Sequence, residues 1–259
     1  MNAPATEQED FSYLAPLFKA AVAYRGDDHF LLLPDVAEQS SLAKDDEPLG
    51  TRGAAKFVQS SFSAGLMHVE AFAQLVTVAQ RVDLHSPWTL LRGALENFAT
   101  AAWLLAGKNP DERRHRVLSL WAEDFRNRAQ HERDTNYVPR PGGKSGAERR
   151  EEVKQLARNL GLPSLTKPET TTIIYEAAAS AGLDSTATQA LWRVASGFAH
   201  GRFWPNLRAT KVRSAMPLSN GGALVDFVLD DYQLAEMAEA CRELLEHTAS
   251  RYKARSSAR

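Results

Sequence analysis

The chain has 259 residues, enough to bury an ample core in one large domain or two small ones, and 44% hydrophobic with 24% charged residues is the balance of an ordinary globular protein. Its 31 Lys and Arg nearly match its 32 Asp and Glu, so no global field draws in nucleic acid and any contact with a polyanion has to rest on a local patch. Cys241 is the only cysteine, which excludes an intrachain disulfide and a cysteine-based zinc cluster.

From the N-terminus, MNAPATEQEDF lacks the basic-then-apolar plan of a signal peptide, and residues 1–10 are expected to be a flexible end. No apolar run reaches the roughly 20 residues of a membrane span. A cytoplasmic protein without membrane contact is therefore expected. FSYLAPLFKAAVAYR (11–25) has helical apolar spacing with one interrupting proline, and 30–50 reads as an irregular connection. A long helix is predicted over 51–82, with Phe57, Phe62, Leu66, Val69, Phe72 and Val76 on one stripe. The next helix starts with Ser86 as cap and Pro87 in its first turn, and Gly107 ends it. Asn109, Pro110 and Glu112 repeat that start. A loop follows at 136–146, then a short charged helix, then a helix capped by Thr166 with Glu169 completing the box. Another helix runs from Asp184 or Ser185 to near Gly201. Two β-prone stretches flank PLSNGG, so 209–229 reads as a hairpin insertion. A last helix covers about 230–253, with 253–259 as a frayed basic tail. These elements point to a single all-α domain over 1–259, an antiparallel helical bundle of about seven helices with one small β-hairpin.

ALWRVASGFAHGR (190–202) carries the clearest chemistry. With Arg193 at zero on a helical wheel, His200 falls near 340°, Gln189 near 320° and Ser196 near 300°. Trp192, Val194, Ala195, Phe198 and Ala199 take the opposite side. Arg193, Ser196 and His200 thus form a polar stripe about two turns long, which an ordinary wet helix face would also present. In WTLLRGALENFATAAWLLAG, Arg92 and Glu96 are the only charges between His85 and Lys108 and share a face. On so apolar a helix they are expected to pair, since an unpaired buried charge is costly. Glu96 would also face Arg193 or His200 across the bundle and set the state of the histidine.

An internal R-x-x-x-E helix ending in AAWLL, followed much later by LWRVASGFAHG, resembles bacterial HEPN-like helical proteins (higher eukaryotes and prokaryotes nucleotide-binding superfamily) over about 86–202. The closest likeness is to their uncharacterised branch ending in Ser-x-x-x-His-Gly. The resemblance implies a metal-independent endoribonuclease, with an arginine and a histidine separated by four to six residues. Arg193 and His200 fit that rule, and Glu96 matches an acidic position on an earlier helix. It further implies a homodimer that composes the site, no cofactor, RNA as substrate, and a toxin or phage-defence role with an antitoxin or partner protein. Other members of the family are non-catalytic interaction or nucleotide-binding modules.

Two further Arg/His pairs have similar spacing. Arg126 and His131, with Asn127 directly after the arginine, form the rival site, set in a strongly charged segment. Arg242 and His247 have no supporting context. Arg193 and His200 are favoured because Gly197, Ala199 and Gly201 would let another group approach closely. The seven histidines are scattered without a His-Glu-x-x-His, so no metal site is expected. Ser196 lacks the turn of an acyl nucleophile, and PGGKSG lacks P-loop spacing. Trp88, Trp103, Trp121, Trp192 and Phe198 are expected to fill the core. A structural alternative to the enzyme is a buried polar network of Arg193, Ser196, His200, Arg92 and Glu96 in an interaction module.

Overall fold

A computed structural model describes residues 11–25, 33–80 and 82–258, so the expectation for 1–10 lies outside the described residues. The architecture is an all-α bundle carrying one two-stranded antiparallel hairpin. The proline expected to interrupt 11–25 instead sits in the first turn of α1 (Ala15–Val22), where a missing N–H costs nothing. The segment expected to be irregular at 30–50 contains a helix. Ser40 Oγ accepts from the Ala43 N–H at 3.1 Å and starts α2 (Ser41–Asp46), and a 3-10 turn over Glu47–Arg52 follows. Asp46 then accepts from the N–H groups of Ala54 and Ala55 at 2.7 and 2.9 Å, fixing the start of α3 (Ala54–Thr77) later than the pattern suggests.

The cap of α4 (Ser86–Ala106) also differs from expectation. Ser86 is already helical, and Asp83 serves instead, accepting from the backbone of His85 at 2.7 Å and Ser86 at 2.8 Å. Asn109 caps α5 (Pro110–Asp134) as expected, accepting from Glu112 at 2.8 Å. Ser145 and Glu148 close a reciprocal capping box on α6 (Gly146–Asn159). The proposed Thr166 cap is displaced to Glu169, directly before α7 (Thr170–Ala181). Pro168 explains this, because the residue before a proline is pushed out of the helical region. After α8 (Ser185–Ala199), β1 (Thr210–Pro217) pairs with β2 (Ala223–Leu229), and Met216 sits opposite Leu224.

The tail expected to fray from 253 is instead helical through Ser256, where α9 (Asp231–Ser256) ends. Arg255 reaches Asp45 at 2.5 Å and donates to the Leu105 carbonyl at 3.0 Å. Arg113 meets the same carboxylate at 2.6 and 3.0 Å. The Ala37 N–H donates to the Ser256 carbonyl at 2.8 Å. A charged C-terminal run reads as solvated until a buried acid elsewhere in the chain claims it.

Helix α4 is the axis of the molecule and packs against α3, α7, α8 and α9. Trp88, Leu91, Leu95, Phe98 and Leu104 on it are fully buried. Cys241 on α9 lies against the Leu91 carbonyl, and burial pushes its thiol far up, which removes it as a nucleophile.

Glu132, buried at the end of α5, accepts from the Gly146 N–H and from Arg128 Nε, both at 2.7 Å. The Gly146 N–H bond, with help from Arg128, holds its carboxyl below the usual range. A depressed carboxyl contributes stability above its unfolded pKa and loses it as pH falls through the folded value. The Gly146 amide resonance should therefore move sharply only below the ordinary glutamate range. A transition at or above that range would contradict the assignment.

Candidate functional site

Asp184 starts α8 by accepting from the N–H groups of Thr186 and Ala187 at 2.9 and 3.0 Å. One side of the helix is driven inward: Val194, Ala195 and Phe198 are buried, and the Phe198 ring stacks on Trp88 at 5.4 Å and 13°. His85, at the entry to α4, meets the same ring edge-on at 5.6 Å. It thus touches the buried side of α8, away from the stripe. Arg193 and His200 are exposed and Ser196 is half-buried between them.

The helix ends at Ala199, short of Gly201, and His200 is its C-cap with φ −99°. Its N–H still donates to the Ser196 carbonyl at 3.1 Å, so its backbone stays on the helical rod. Arg202 N–H returns to the Gly197 carbonyl at 2.8 Å and Gly201 adopts φ +62°, completing a Schellman stop. Much of the Ser-x-x-x-His-Gly signature is therefore helix-ending geometry. Gly201 follows the histidine because a left-handed residue is required there.

Arg193 Nη2 donates to Gln189 Oε1 at 3.1 Å, and Gln189 donates its amide to the Thr171 carbonyl at 3.0 Å. Gln189 thereby ties the arginine to α7. Arg193 and His200 lie two turns apart, about 10 Å along the axis. Neither is buried, which overturns the alternative of a closed polar network through both. Glu96 does not serve them as expected. Its Oε1 accepts from Arg92 Nε at 2.8 Å and from the indole N–H of Trp192 at 2.7 Å. The expected Arg92–Glu96 pair is present, half-buried, and a charge-assisted hydrogen bond fastens α8 to α4. Trp192 is accordingly half-buried rather than a plain core filler.

The close approach foreseen at Gly197 is made by this chain itself. A Cβ there would stand 2.4 Å from Pro205 Cγ and 3.1 Å from the indole of Trp204. Gly197 falls about 40° from Arg193 on the helical wheel, so Trp204 lies along the flank that carries Arg193 and His200. Trp204 is 44% exposed, beside exposed Phe203, Arg202 and Arg208. Among the described residues no carboxylate pairs with Arg193, Arg202 or Arg208. Sequence reading missed Trp204. The signal was in FWPN, where Pro205 follows a helix-ending glycine and turns the chain back. Gly197→Ala should cost about 1–3 kcal/mol by overpacking and displace Trp204. Denaturant unfolding and indole fluorescence check both, and unchanged fluorescence would contradict the packing.

No family model, curated protein or solved structure matches the chain. The site accordingly rests on its own geometry.

The rival site is differently furnished. Arg126 is held by Glu123 at 2.6 and 2.7 Å and touches Asn127 Oδ1 at 3.2 Å, with His131 exposed further along α5. Arg242 is bound by Glu239 and Glu246, and His247 lies 3.3 Å from Ser180 Oγ. Among the described residues no cluster of three His, Cys, Asp or Glu could hold a metal ion, and no helix is long and apolar enough to cross a membrane.

Proposed function

We propose that the C-terminal end of α8 is the site of a metal-independent endoribonuclease. One observation carries the reading: Arg193 and His200 emerge exposed from one helix face, without a neutralising carboxylate among the described residues, beside the exposed indole of Trp204. That is a phosphate-binding cation, a proton-transfer group and a stacking surface on one flank. Arg193, steadied by Gln189, clamps the scissile phosphate and balances the charge that develops on it. His200 takes the 2′-hydroxyl proton or protonates the leaving 5′-oxygen. A base stacks on Trp204. Ser196 supports the phosphate, and Glu96 acts through Trp192 and Arg92 to hold α8 in place. A homodimer would supply the second histidine, so acid and base come from two copies. A toxin or phage-defence role, restrained by an antitoxin or partner protein, follows from the resemblance of LWRVASGFAHG.

The second reading is a non-catalytic interaction module, favoured by the exposure of Phe203 and Leu207 at 67% and 63% beside the same site. Incubating the purified chain with mixed RNA in a chelator separates the two. Cleavage by wild type and His131→Ala, but not by His200→Ala, supports the enzyme. Failure of every form to cleave overturns it in favour of the module, and cleavage lost only in His131→Ala moves the site to Arg126.

A further inference from the structure

Helices α5 and α6 and the connection at 165–167 surround a second cavity of about 210 Å³, unrelated to α8. Its charge is one-sided: Arg126, Arg150, Lys154 and Lys167 line it against the single carboxylate of Glu123. Two of these cations are already engaged, Arg126 by Glu123 and Lys154 by Glu151 at 3.4 Å. Arg150 and Lys167 make no salt bridge among the described residues, and Arg150 Nε is buried without a hydrogen-bond partner. The Arg126 hydrogen bond, and the charges of Arg126, Lys167 and Arg150, hold the Glu123 carboxyl below its usual range.

The second observation is Ser119. It lines the same cavity, is 3% exposed, and its Oγ has no hydrogen-bond partner among the described residues. Buried hydroxyls are normally satisfied, so an orphan facing unspent cations points to an acceptor that belongs there. We propose that this cavity binds the phosphate of a small phosphate monoester, with Ser119 Oγ and Arg150 Nε donating and Lys167 closing over it.

A phosphate monoester is near-dianionic at neutral pH and offers three acceptor oxygens, which matches this donor set. The volume is below the roughly 300–1,000 Å³ of sites that swallow a whole drug-sized ligand. The phosphate is therefore held and the rest of the molecule lies outside. Asn127 and His131 do not line the cavity, and the proposal is of binding alone. The inference is independent of the ribonuclease site on α8, since no side chain is shared with it.

The test is calorimetric titration of the full chain with inorganic phosphate, adenosine 5′-monophosphate and a 5′-hydroxyl RNA pentamer, at ionic strength fixed with KCl. Saturable one-to-one binding of phosphate and the monophosphate is expected. Arg150→Gln, Lys167→Gln and Ser119→Ala should each weaken it tenfold or more, and His200→Ala should leave it unchanged. Lys167 is exposed, and Ser119→Ala removes only an unpartnered hydroxyl, so both variants should fold with unliganded Tm unchanged or raised. No saturable heat beyond KCl would overturn the proposal, as would wild-type affinity in Lys167→Gln and Ser119→Ala. Tighter binding of the pentamer than of the monophosphate, weakened by Lys167→Gln and Ser119→Ala, would replace it with a strand-binding groove.

Discussion

Asp45→Ala should lower the unfolding free energy by about 3–5 kcal/mol, read as a shift of the denaturant midpoint at unchanged slope. Asp45 is 4% exposed and is shared by Arg113 and Arg255, whose side chains are each 13% exposed. Removing the carboxylate leaves two guanidinium groups facing one another in a half-dry corner. Burial, with Arg113 next, already lowers the pKa of Arg255, and Asp45 opposes that. The carbonyls of Gly107 and Leu105 each take one bond from Arg113 and Arg255, at 2.9 and 3.0 Å, but cannot replace the lost charge. Deleting 253–259 should also destabilise the chain, because it removes Arg255 and the Ser256 carbonyl that anchors Ala37. A truncated chain as stable as wild type would contradict the docked end of α9.

His200→Ala should reduce RNA cleavage by about 10²–10⁴-fold, the usual worth of a positioned acid or base. The fold should survive. His200 contributes its backbone N–H to the end of α8, which alanine retains, and Gly201 keeps the left-handed turn. Arg193→Lys should also lose rate, since an ammonium does not present a planar fork to a phosphate. Trp204→Ala should act on affinity instead, by about 1–3 kcal/mol for one stacked base. A fall in KM-weighted rate for Trp204→Ala with kcat preserved, beside a fall in kcat for His200→Ala, would separate binding from chemistry. Unchanged Tm in His200→Ala would exclude a merely structural loss.

The bundle was legible because its signals are local. Phe62, Leu66, Val69 and Phe72 repeat at helical spacing, Asn109 and Asp184 are strong caps, and PLSNGG between β-prone runs marks a hairpin. The stripe of Arg193, Ser196 and His200 was legible for the same reason. What pattern could not supply was the partner of each polar group. Glu96 had two cations within imaginable reach and took the indole of Trp192. Gly197 announced a close approach without saying that Pro205 and Trp204 make it. Asp45, in a stretch without periodicity, organises α2, α5 and α9 through contacts about seventy or more residues distant in sequence. Long-range pairing of charges has no period, so hydrophobic spacing is silent about it.

The most direct measurement is end-group analysis of RNA fragments made by the purified chain in excess chelator. With His200 moving the proton of a 2′-hydroxyl, the fragments carry 2′,3′-cyclic phosphate and 5′-hydroxyl ends, and they vanish in His200→Ala. Fragments with 3′-hydroxyl and 5′-phosphate ends, or the same yield from His200→Ala as from wild type, would contradict the account.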